Sequence, residues 1–344
     1  MDVCGVAPAG KKLNGAVVRK PSALKGRTKA LRFNTGSPLV PVTVAALSSR
    51  NVAQPAPRTR SFPIPTPGSQ PISITLGPDG NFWFTEQDRS QVARITPQGV
   101  VTEFVTPTFS FPIDITPGPD GNVWFSQGAI GQIAFITPAG QIEEIAFSSF
   151  DAAAGIVTGP DGNIWFTDLT GNNIWRLELV TRSLTSFPVP TENSFPHDII
   201  VGADGNLWFT EQIGGKIGRI TTGGLITEFG SDLNLPSSIA AGPDGNVWFT
   251  ERFKRRIGKI TPAGDFTFYR TQGSPEQIVP GHGNSLLFTE FGSNKVGQIT
   301  TDGVITELPE FHDSGPTGIV AGPFRTIWFL GYASDRVYRV SVAA

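Results

Sequence analysis

The stretch Gly77-Pro78-Asp79-Gly80-Asn81-Phe82-Trp83-Phe84-Thr85-Glu86 recurs along the chain at a nearly fixed spacing. Its tryptophan position falls on Trp83, Trp124, Trp165, Trp208, Trp248, Leu287 and Trp328. The steps between these positions are 41, 41, 43, 40, 39 and 41 residues. Self-similarity at roughly 40–45 residues, with short strands in every unit, is typical of a β-propeller. The spacing therefore predicts seven blades.

Each unit is predicted to form four antiparallel strands. In the unit 196–229, two apolar runs flank the turn Ala203-Asp204-Gly205-Asn206, and two alternating runs follow. The last unit has room for only three strands, whereas residues 60–65 resemble the outer strand at 185–190. The N-terminal strand is therefore predicted to complete the last blade, which removes exposed sheet edges. The predicted fold class is all-β, a seven-bladed β-propeller of four-stranded antiparallel blades.

The net charge of −2 conceals two different parts of the chain. Residues 1–59 carry ten Lys or Arg and one acid, a net charge of +9, while residues 60–344 carry −11. Residues 1–59 show neither strand alternation nor the repeat. They are predicted to be a basic disordered tail or a targeting segment ahead of a propeller domain at 60–344. The sequence leaves open whether the protein is exported or cytoplasmic.

The composition excludes several classes of function. No run of 18 apolar residues exists, so we expect no membrane-spanning helix. Residues 60–344 contain no Gly-rich phosphate loop, no basic aromatic stripe and no Cys/His cluster, so we expect no nucleic-acid partner. Cys4 is the only cysteine, and the fold must rest on packing without a disulfide.

Residues that recur in every unit are interpreted as framework. The glycine of each Asp-Gly-Asn turn supplies a backbone conformation that other residues reach only with strain. The tryptophans are expected to pack neighbouring blades against each other. The acidic position after Phe-Thr, as in Glu86, recurs around the ring and is also expected to be structural.

Function is expected where the repeat is broken, at the channel mouth where the inner strands begin. The two residues after the Pro of each inner strand should face this mouth, and ionisable or amide side chains occur there in three units: Asp114, His197 with Asp198, and Glu276 with Gln277. Because a hairpin returns the second strand beside the first, Glu211 is expected on the same face as His197. This pair could supply a base and an orienting or metal-binding carboxylate.

The repeat also carries a family resemblance over about residues 60–344. The stretch 242–251, followed by Arg256-Ile257-Gly258-Lys259-Ile260-Thr261-Pro262, resembles the streptogramin B lyase (virginiamycin B lyase) family. The resemblance implies a monomeric propeller that linearises cyclic depsipeptide antibiotics, type B streptogramins, by elimination. In that family a His removes the proton next to the ester carbonyl, and Mg²⁺ held by glutamates stabilises the enolate.

The resemblance places the family's catalytic motif, Glu-Pro-His-Gly-Ile, at the start of the last inner strand. This chain has Gly315-Pro316-Thr317-Gly318-Ile319 there, and its nearest equivalent is Phe195-Pro196-His197-Asp198-Ile199 in the fourth unit. The corresponding assignment makes His197 and Glu211 catalytic, and Glu211 and Glu276 the Mg²⁺ ligands. Asp114, Asp198 and Gln277 are the candidate contacts for a small-molecule or cyclic peptide ligand.

Three functions from different classes stay open at this point. The first is a lyase that uses His197 as general base. The second is a noncatalytic propeller that binds a ligand or a protein at the same face, which the absence of the motif at Thr317 favours. The third is a calcium-dependent hydrolase similar to the lactonases, with Asp114, Asp198, Glu276 and Gln277 as oxygen ligands. Convergence of His197, Glu211 and Glu276 on one point would favour the lyase, and divergence would favour the binding protein.

Overall fold

The computed structural model describes residues 58–128, 131–147, 152–230 and 232–342. Within these residues, seven four-stranded antiparallel sheets are arranged as blades around a channel. The predicted fold class is thus confirmed. The prediction for the tail at 1–59 lies almost wholly outside the described residues. No helix in the described part of the chain has the length and apolar character needed to cross a membrane.

The chain builds each of the first six blades from the channel outward. The blade 7 sheet takes its outer strand from the N-terminal end, β1 (Arg58–Pro63). Blade 1 contains β2 (Pro71–Leu76), β3 (Phe82–Glu86), β4 (Gln91–Ile95) and β5 (Val101–Val105). Blade 2 contains β6 (Pro112–Pro117), β7 (Val123–Gln127), β8 (Gln132–Ile136) and β9 (Ile142–Ala146). Blade 3 contains β10 (Ala153–Thr158), β11 (Ile164–Asp168), β12 (Asn173–Leu177) and β13 (Leu184–Pro188).

The later blades repeat this order. Blade 4 contains β14 (Pro196–Val201), β15 (Leu207–Glu211), β16 (Lys216–Ile220) and β17 (Ile226–Phe229). Blade 5 contains β18 (Pro236–Ala241), β19 (Val247–Glu251), β20 (Arg256–Ile260) and β21 (Phe266–Arg270). Blade 6 contains β22 (Ile278–Pro280), β23 (Ser285–Glu290), β24 (Lys295–Thr300) and β25 (Ile305–Glu307). Blade 7 contains β26 (Pro316–Gly322), β27 (Thr326–Gly331) and β28 (Arg336–Ser341), together with β1. Short 3₁₀ turns occupy Gln87–Arg89, Arg252–Lys254, Phe291–Ser293 and Pro323–Arg325.

The ring closes through β1, as the sequence predicts. Strand β1 pairs antiparallel with β28 from Arg58 opposite Ser341 to Pro63 opposite Arg336. The first and last strands therefore belong to one sheet, and the two ends of the propeller hold each other in place.

The tryptophans join neighbouring blades, as predicted. Trp208 of blade 4 is 1% exposed and packs with Ile239 and Phe249 of blade 5. Its indole Nε1 donates to Asp204 Oδ1 of the turn at 3.0 Å. On its face lies Arg219, with the guanidinium carbon 5.4 Å from the ring centre, an arrangement worth about 0.5–2 kcal/mol. Each such unit therefore fixes the turn, the second strand and the third strand together.

The same cation also reaches the next blade. Arg219 Nη1 donates to the Pro262 carbonyl at 3.1 Å, and Arg94 of blade 1 donates to the Pro138 carbonyl at 2.7 Å. Blade 6 departs from the pattern at all three positions at once, with Gly283, Leu287 and Gln298 in place of the acid, the tryptophan and the cation. Blades 2 and 7 keep the tryptophan but change one partner: Phe135 replaces the cation in blade 2, and Phe324 replaces the acid in blade 7, where Trp328 Nε1 donates to Thr326 Oγ1 at 3.2 Å.

Hydroxyl groups on the second strands connect the inner strands around the channel. Thr167 Oγ1 of blade 3 accepts the N–H of Gly155 at 2.9 Å and donates to the carbonyl of His197 in blade 4 at 2.7 Å. Equivalent bonds run from Thr85, Ser126, Thr210 and Thr250 to the next blade. The Thr of the repeated Phe-Thr pair therefore sets how each inner strand enters the channel mouth.

Candidate functional site

A cavity of about 390 Å³ lies at the channel mouth where the inner strands begin. Every blade contributes to it through the residues that follow the Pro of its inner strand. These residues are Ile72, Ser73, Ile113, Asp114, Ala154, Gly155, His197, Asp198, Ser237, Ser238, Glu276, Gln277 and Thr317. The structure therefore brings His197, Glu276, Asp114, Asp198 and Gln277 to one cavity.

The rim adds four residues that sequence reasoning missed: Gln87, Arg252, Phe291 and Tyr332. Each is the first residue after a second strand, one place beyond the repeated acid or, in blade 7, beyond Gly331. This place varies between blades, and that variation is the signal that could have revealed them. Phe291 and Tyr332 form an edge-to-face pair with ring centres 5.6 Å apart, so one side of the rim is aromatic.

His197 lies in the cavity wall, and its surroundings disfavour the protonated ring. Burial lowers its pKa below the ordinary value, although a hydrogen bond with the backbone of Ser237 and the charges of Asp114 and Glu276 act in the opposite direction. Its Nδ1 is sealed from solvent and has no hydrogen-bond partner among the described residues. The ring therefore does not present this nitrogen to a ligand in the cavity.

Glu276 is held by an ion pair at the edge of the cavity. Arg252 Nη1 lies 3.1 Å from Glu276 Oε2 and donates to Oε1 at 3.3 Å. Burial raises the pKa of Glu276, and the charges of Arg252 and His197 oppose this rise. A carboxylate that is already paired with an arginine is a poor ligand for a second cation, since the two cations repel each other.

Asp198 bonds to two blades. Its Oδ1 accepts the N–H of Ile199 at 2.8 Å, and its Oδ2 accepts the N–H of Ile239 at 2.9 Å and the hydroxyl of Ser238 at 3.0 Å. The inner strand shifts register between Pro196 and Ile199, which leaves these backbone groups outside the regular ladder. Asp198 therefore accepts hydrogen bonds from backbone N–H groups that the bulges leave without a partner in the sheet.

Asp114 makes the same connection between blades 2 and 3. It accepts the N–H of Ile115 at 2.9 Å, the N–H of Ile156 at 3.0 Å and the hydroxyl of Ser73 at 2.7 Å. Burial raises the pKa of Asp114 and of Asp198 to about 6, with the charge of Asp198 contributing for Asp114. Gln277 follows the pattern, since its Oε1 accepts the N–H of Ile319 at 2.7 Å.

Glu211 is not brought to the cavity. Its Cα lies opposite Pro196, at the same end of the blade as His197, but the side chain is 0% exposed and lies within the blade. The surrounding charges are those of Glu228 and Lys216, and burial raises the pKa of Glu211 to about 8. Glu211 therefore stands apart from His197 as a framework acid.

The residues assigned to Mg²⁺ do not fit a metal ion. Glu211 lies inside its blade, and Glu276 is paired with Arg252. Across the described ranges, no three His, Cys, Asp or Glu side chains are grouped so that they could hold a metal. No catalytic step through a metal ion follows from this arrangement.

The position of the family's catalytic histidine has a structural role here. Thr317 Oγ1 donates to the carbonyl of Pro71 at 2.7 Å, which links blade 7 to blade 1. In blades 1 to 5 the second-strand hydroxyl makes this type of bond, but blade 7 has Leu330 at that position. Thr317 thus supplies the hydroxyl that Leu330 lacks.

A profile of the virginiamycin B lyase family matches residues 52–234 and 230–344. The chain belongs to this family. Virginiamycin B lyase from Staphylococcus aureus is 33% identical, with 83% of this chain and 99% of that chain covered and a TM-score of 0.78. A streptogramin B lyase structure is 30% identical over 83% of this chain and 98% of that chain, with a TM-score of 0.79.

A third structure is a catalytically inactive variant of the Staphylococcus aureus virginiamycin B lyase with quinupristin, 33% identical over 83% of this chain and 99% of that chain, with a TM-score of 0.78. No curated protein sequence matches the chain. The similarity to these structures thus agrees with both the family membership of the chain and its propeller fold.

Proposed function

We propose that this member of the virginiamycin B lyase family binds a cyclic depsipeptide or a similarly compact ligand at the channel mouth without metal-assisted elimination. The cavity, the aromatic rim at Phe291 and Tyr332, and the ion pair of Arg252 with Glu276 offer apolar and polar contacts on one surface. The similarity to a lyase that holds quinupristin supports the ligand class.

The observation that carries the proposal is that neither carboxylate assigned to the metal is available beside His197. His197 has its Nδ1 sealed from solvent, Glu276 is paired with Arg252, and Glu211 lies outside the cavity. A general base must come within about 2.6–3.2 Å of the proton that it removes. Of these three assigned residues, only His197 and Glu276 line the cavity, and this supports ligand binding over metal-assisted elimination.

The experiment is calorimetric titration with quinupristin, with and without Mg²⁺, followed by product analysis. Elimination at a ring ester leaves the mass unchanged whereas hydrolysis adds one water, so fragment-ion mass spectrometry after chromatography distinguishes both products from the intact ring. Binding without either product is the expected result. A linear product that disappears in His197→Ala would overturn the proposal, and so would the absence of binding.

Two variants test whether the ligand binds at the channel mouth. Phe291→Ala and Arg252→Ala are expected to weaken binding about tenfold each, which corresponds to about 1.4 kcal/mol. Val304→Ala is the matched control, because Val304 is 62% exposed in the hairpin between β24 and β25 and does not line the cavity. Equal effects of Phe291→Ala and Val304→Ala would place the ligand elsewhere.

Elimination is the second candidate function, and the lowered pKa of His197 in the cavity wall favours it, because a base must be unprotonated. In this reaction the imidazole takes the proton from the threonyl Cα, the electron pair of that C–H bond forms the Cα–Cβ double bond, and the Cβ–O bond breaks so that the ester oxygen leaves as part of a carboxylate. Since Nδ1 is sealed from solvent, Nε2 would be the nitrogen that takes this proton. The lactonase-like alternative is less well supported, because the oxygens of Asp114, Asp198 and Gln277 already accept protein hydrogen bonds.

A further inference from the structure

The repeated acid of blade 1 is buried without a compensating donor. Glu86 is 0% exposed, and neither of its carboxylate oxygens has a hydrogen-bond partner among the residues described. An ionised carboxylate in such a place costs several kcal/mol unless it is paired. Some group must therefore neutralise this side chain.

Blade 2 shows which group fits the position. There the residue after Phe-Ser is Gln127, whose Nε2 donates to Glu144 Oε1 at 2.9 Å and to Ser110 Oγ at 2.7 Å. Glu144 occupies the same place on the outer strand as Glu103 does in blade 1. A neutral donor that bonds to an outer-strand carboxylate is thus what this position holds in a neighbouring blade.

In blade 1, no basic side chain of the described part of the chain fills this role. Lys216 of blade 4 lies 2.8 Å from Glu228, and Lys295 of blade 6 lies 2.7 Å from Glu307. The corresponding residue of blade 1 is the uncharged Gln91, whose Oε1 also has no partner in the described structure.

The neighbouring carboxylates are already hydrogen-bonded as acceptors. Glu103 accepts the N–H of Thr66 at 2.8 Å and its hydroxyl at 3.0 Å. Asp335, from the loop between β27 and β28, accepts the N–H of Gly68 at 2.7 Å and that of Ser69 at 3.1 Å. Glu103 and Asp335 are the charged groups that act on Glu86, and both are acidic.

We propose that Glu86 is a protonated carboxylic acid that donates a hydrogen bond to Glu103, as Gln127 does to Glu144, and that this proton is an alkali-sensitive latch at the seam between blades 7 and 1. Loss of the proton places three carboxylates, those of Glu86, Glu103 and Asp335, around the point where the ring closes. Burial first, and then these two neighbours, raise the pKa of Glu86 to about 9, in agreement with this assignment.

The direction of the pH effect follows from linkage. The folded protein keeps the proton up to about pH 9, whereas the unfolded chain releases it near its ordinary value of 4.5. The folded state therefore binds the extra proton between these values. This contribution to stability is complete below the lower pKa and declines as pH rises to the upper one.

Glu86→Gln is the test variant, because an amide reproduces both the shape and the donor of the protonated acid. The wild type is expected to show an infrared carbonyl band of a protonated carboxylic acid at pH 7 that is reduced in Glu86→Gln. The melting temperature of the variant should fall less between pH 6 and pH 9 than that of the wild type. An unchanged band together with an unchanged pH profile would overturn the proposal, and so would a variant that fails to fold.

Gln127→Glu is the matched control in blade 2. It creates the same pair of acids beside Glu144, and Gln132 stands there in the place of Gln91. This variant should gain a protonated-acid band and a steeper loss of melting temperature at alkaline pH. The same pH profile as the wild type would contradict the proposed role of the position.

Discussion

Replacement of Asp198 by Ala tests whether this side chain is a connector between blades or a ligand contact. The change removes the acceptor of the N–H of Ile199 and of the N–H of Ile239, which the carboxylate bonds at 2.8 Å and 2.9 Å. A buried donor that loses its partner costs about 1–3 kcal/mol. With two such donors, the free energy of unfolding should fall by about 2–6 kcal/mol.

Urea denaturation followed by tryptophan fluorescence measures this loss, provided that the slope of unfolding free energy against urea stays constant. Ser237→Ala is the matched control, because Ser237 lines the same cavity but its hydroxyl makes no hydrogen bond in the described structure. The control should change the stability by no more than about 0.5 kcal/mol.

Two outcomes would refute the reasoning. A loss below about 1 kcal/mol in Asp198→Ala would mean that the freed N–H groups find other acceptors. A variant of unchanged stability that no longer binds quinupristin would show that Asp198 contacts the ligand, as the sequence first indicated.

Two further substitutions test how the ring is held together. Thr317→Val removes the bond to the Pro71 carbonyl and should cost about 1 kcal/mol in the same assay, whereas Thr317→Ser keeps the hydroxyl and should cost less; equal losses would show that this bond does not stabilise the closure. Arg219→Ala removes the cation from the face of Trp208 and should lower stability by about 1–2 kcal/mol by thermal denaturation, while Arg219→Lys, the residue type that blade 5 carries there, should retain part of it. A loss as large in Arg219→Lys as in Arg219→Ala would argue against the cation–π contribution.

The fold could be predicted from the sequence because the repeated phrase contains the residues that set local structure. In blade 4, Gly205 adopts a φ of +74°, which suits glycine, and Trp208 fills the space between blades. Both effects act within a few residues of the phrase, so each copy predicts its own blade. Closure by β1 was predictable for the same reason. The last unit has only three strands, so its fourth strand must come from the N-terminal end of the propeller.

The site was less predictable because its geometry depends on contacts between blades. The sequence places Glu211 at the right end of blade 4, and the register confirms that level. It does not reveal that the side chain lies within the blade toward Glu228, because the bulge after Pro196 breaks the simple alternation of faces. The hydrogen bonds of Asp198 to the inner strand of the next blade likewise cannot be inferred from spacing along the chain.

The pairing of the first strand with the last also constrains how the chain can fold during its synthesis. Arg336 Nε donates to Ser61 Oγ across 275 residues of sequence, so β1, the first strand of the described residues, has no sheet partner until the ribosome has translated nearly the whole propeller. Contacts of this separation form late and slowly. Until then β1 is an unpaired strand, and its exposed Arg58 and Arg60 supply the positive charge that keeps such a strand from associating with other nascent chains.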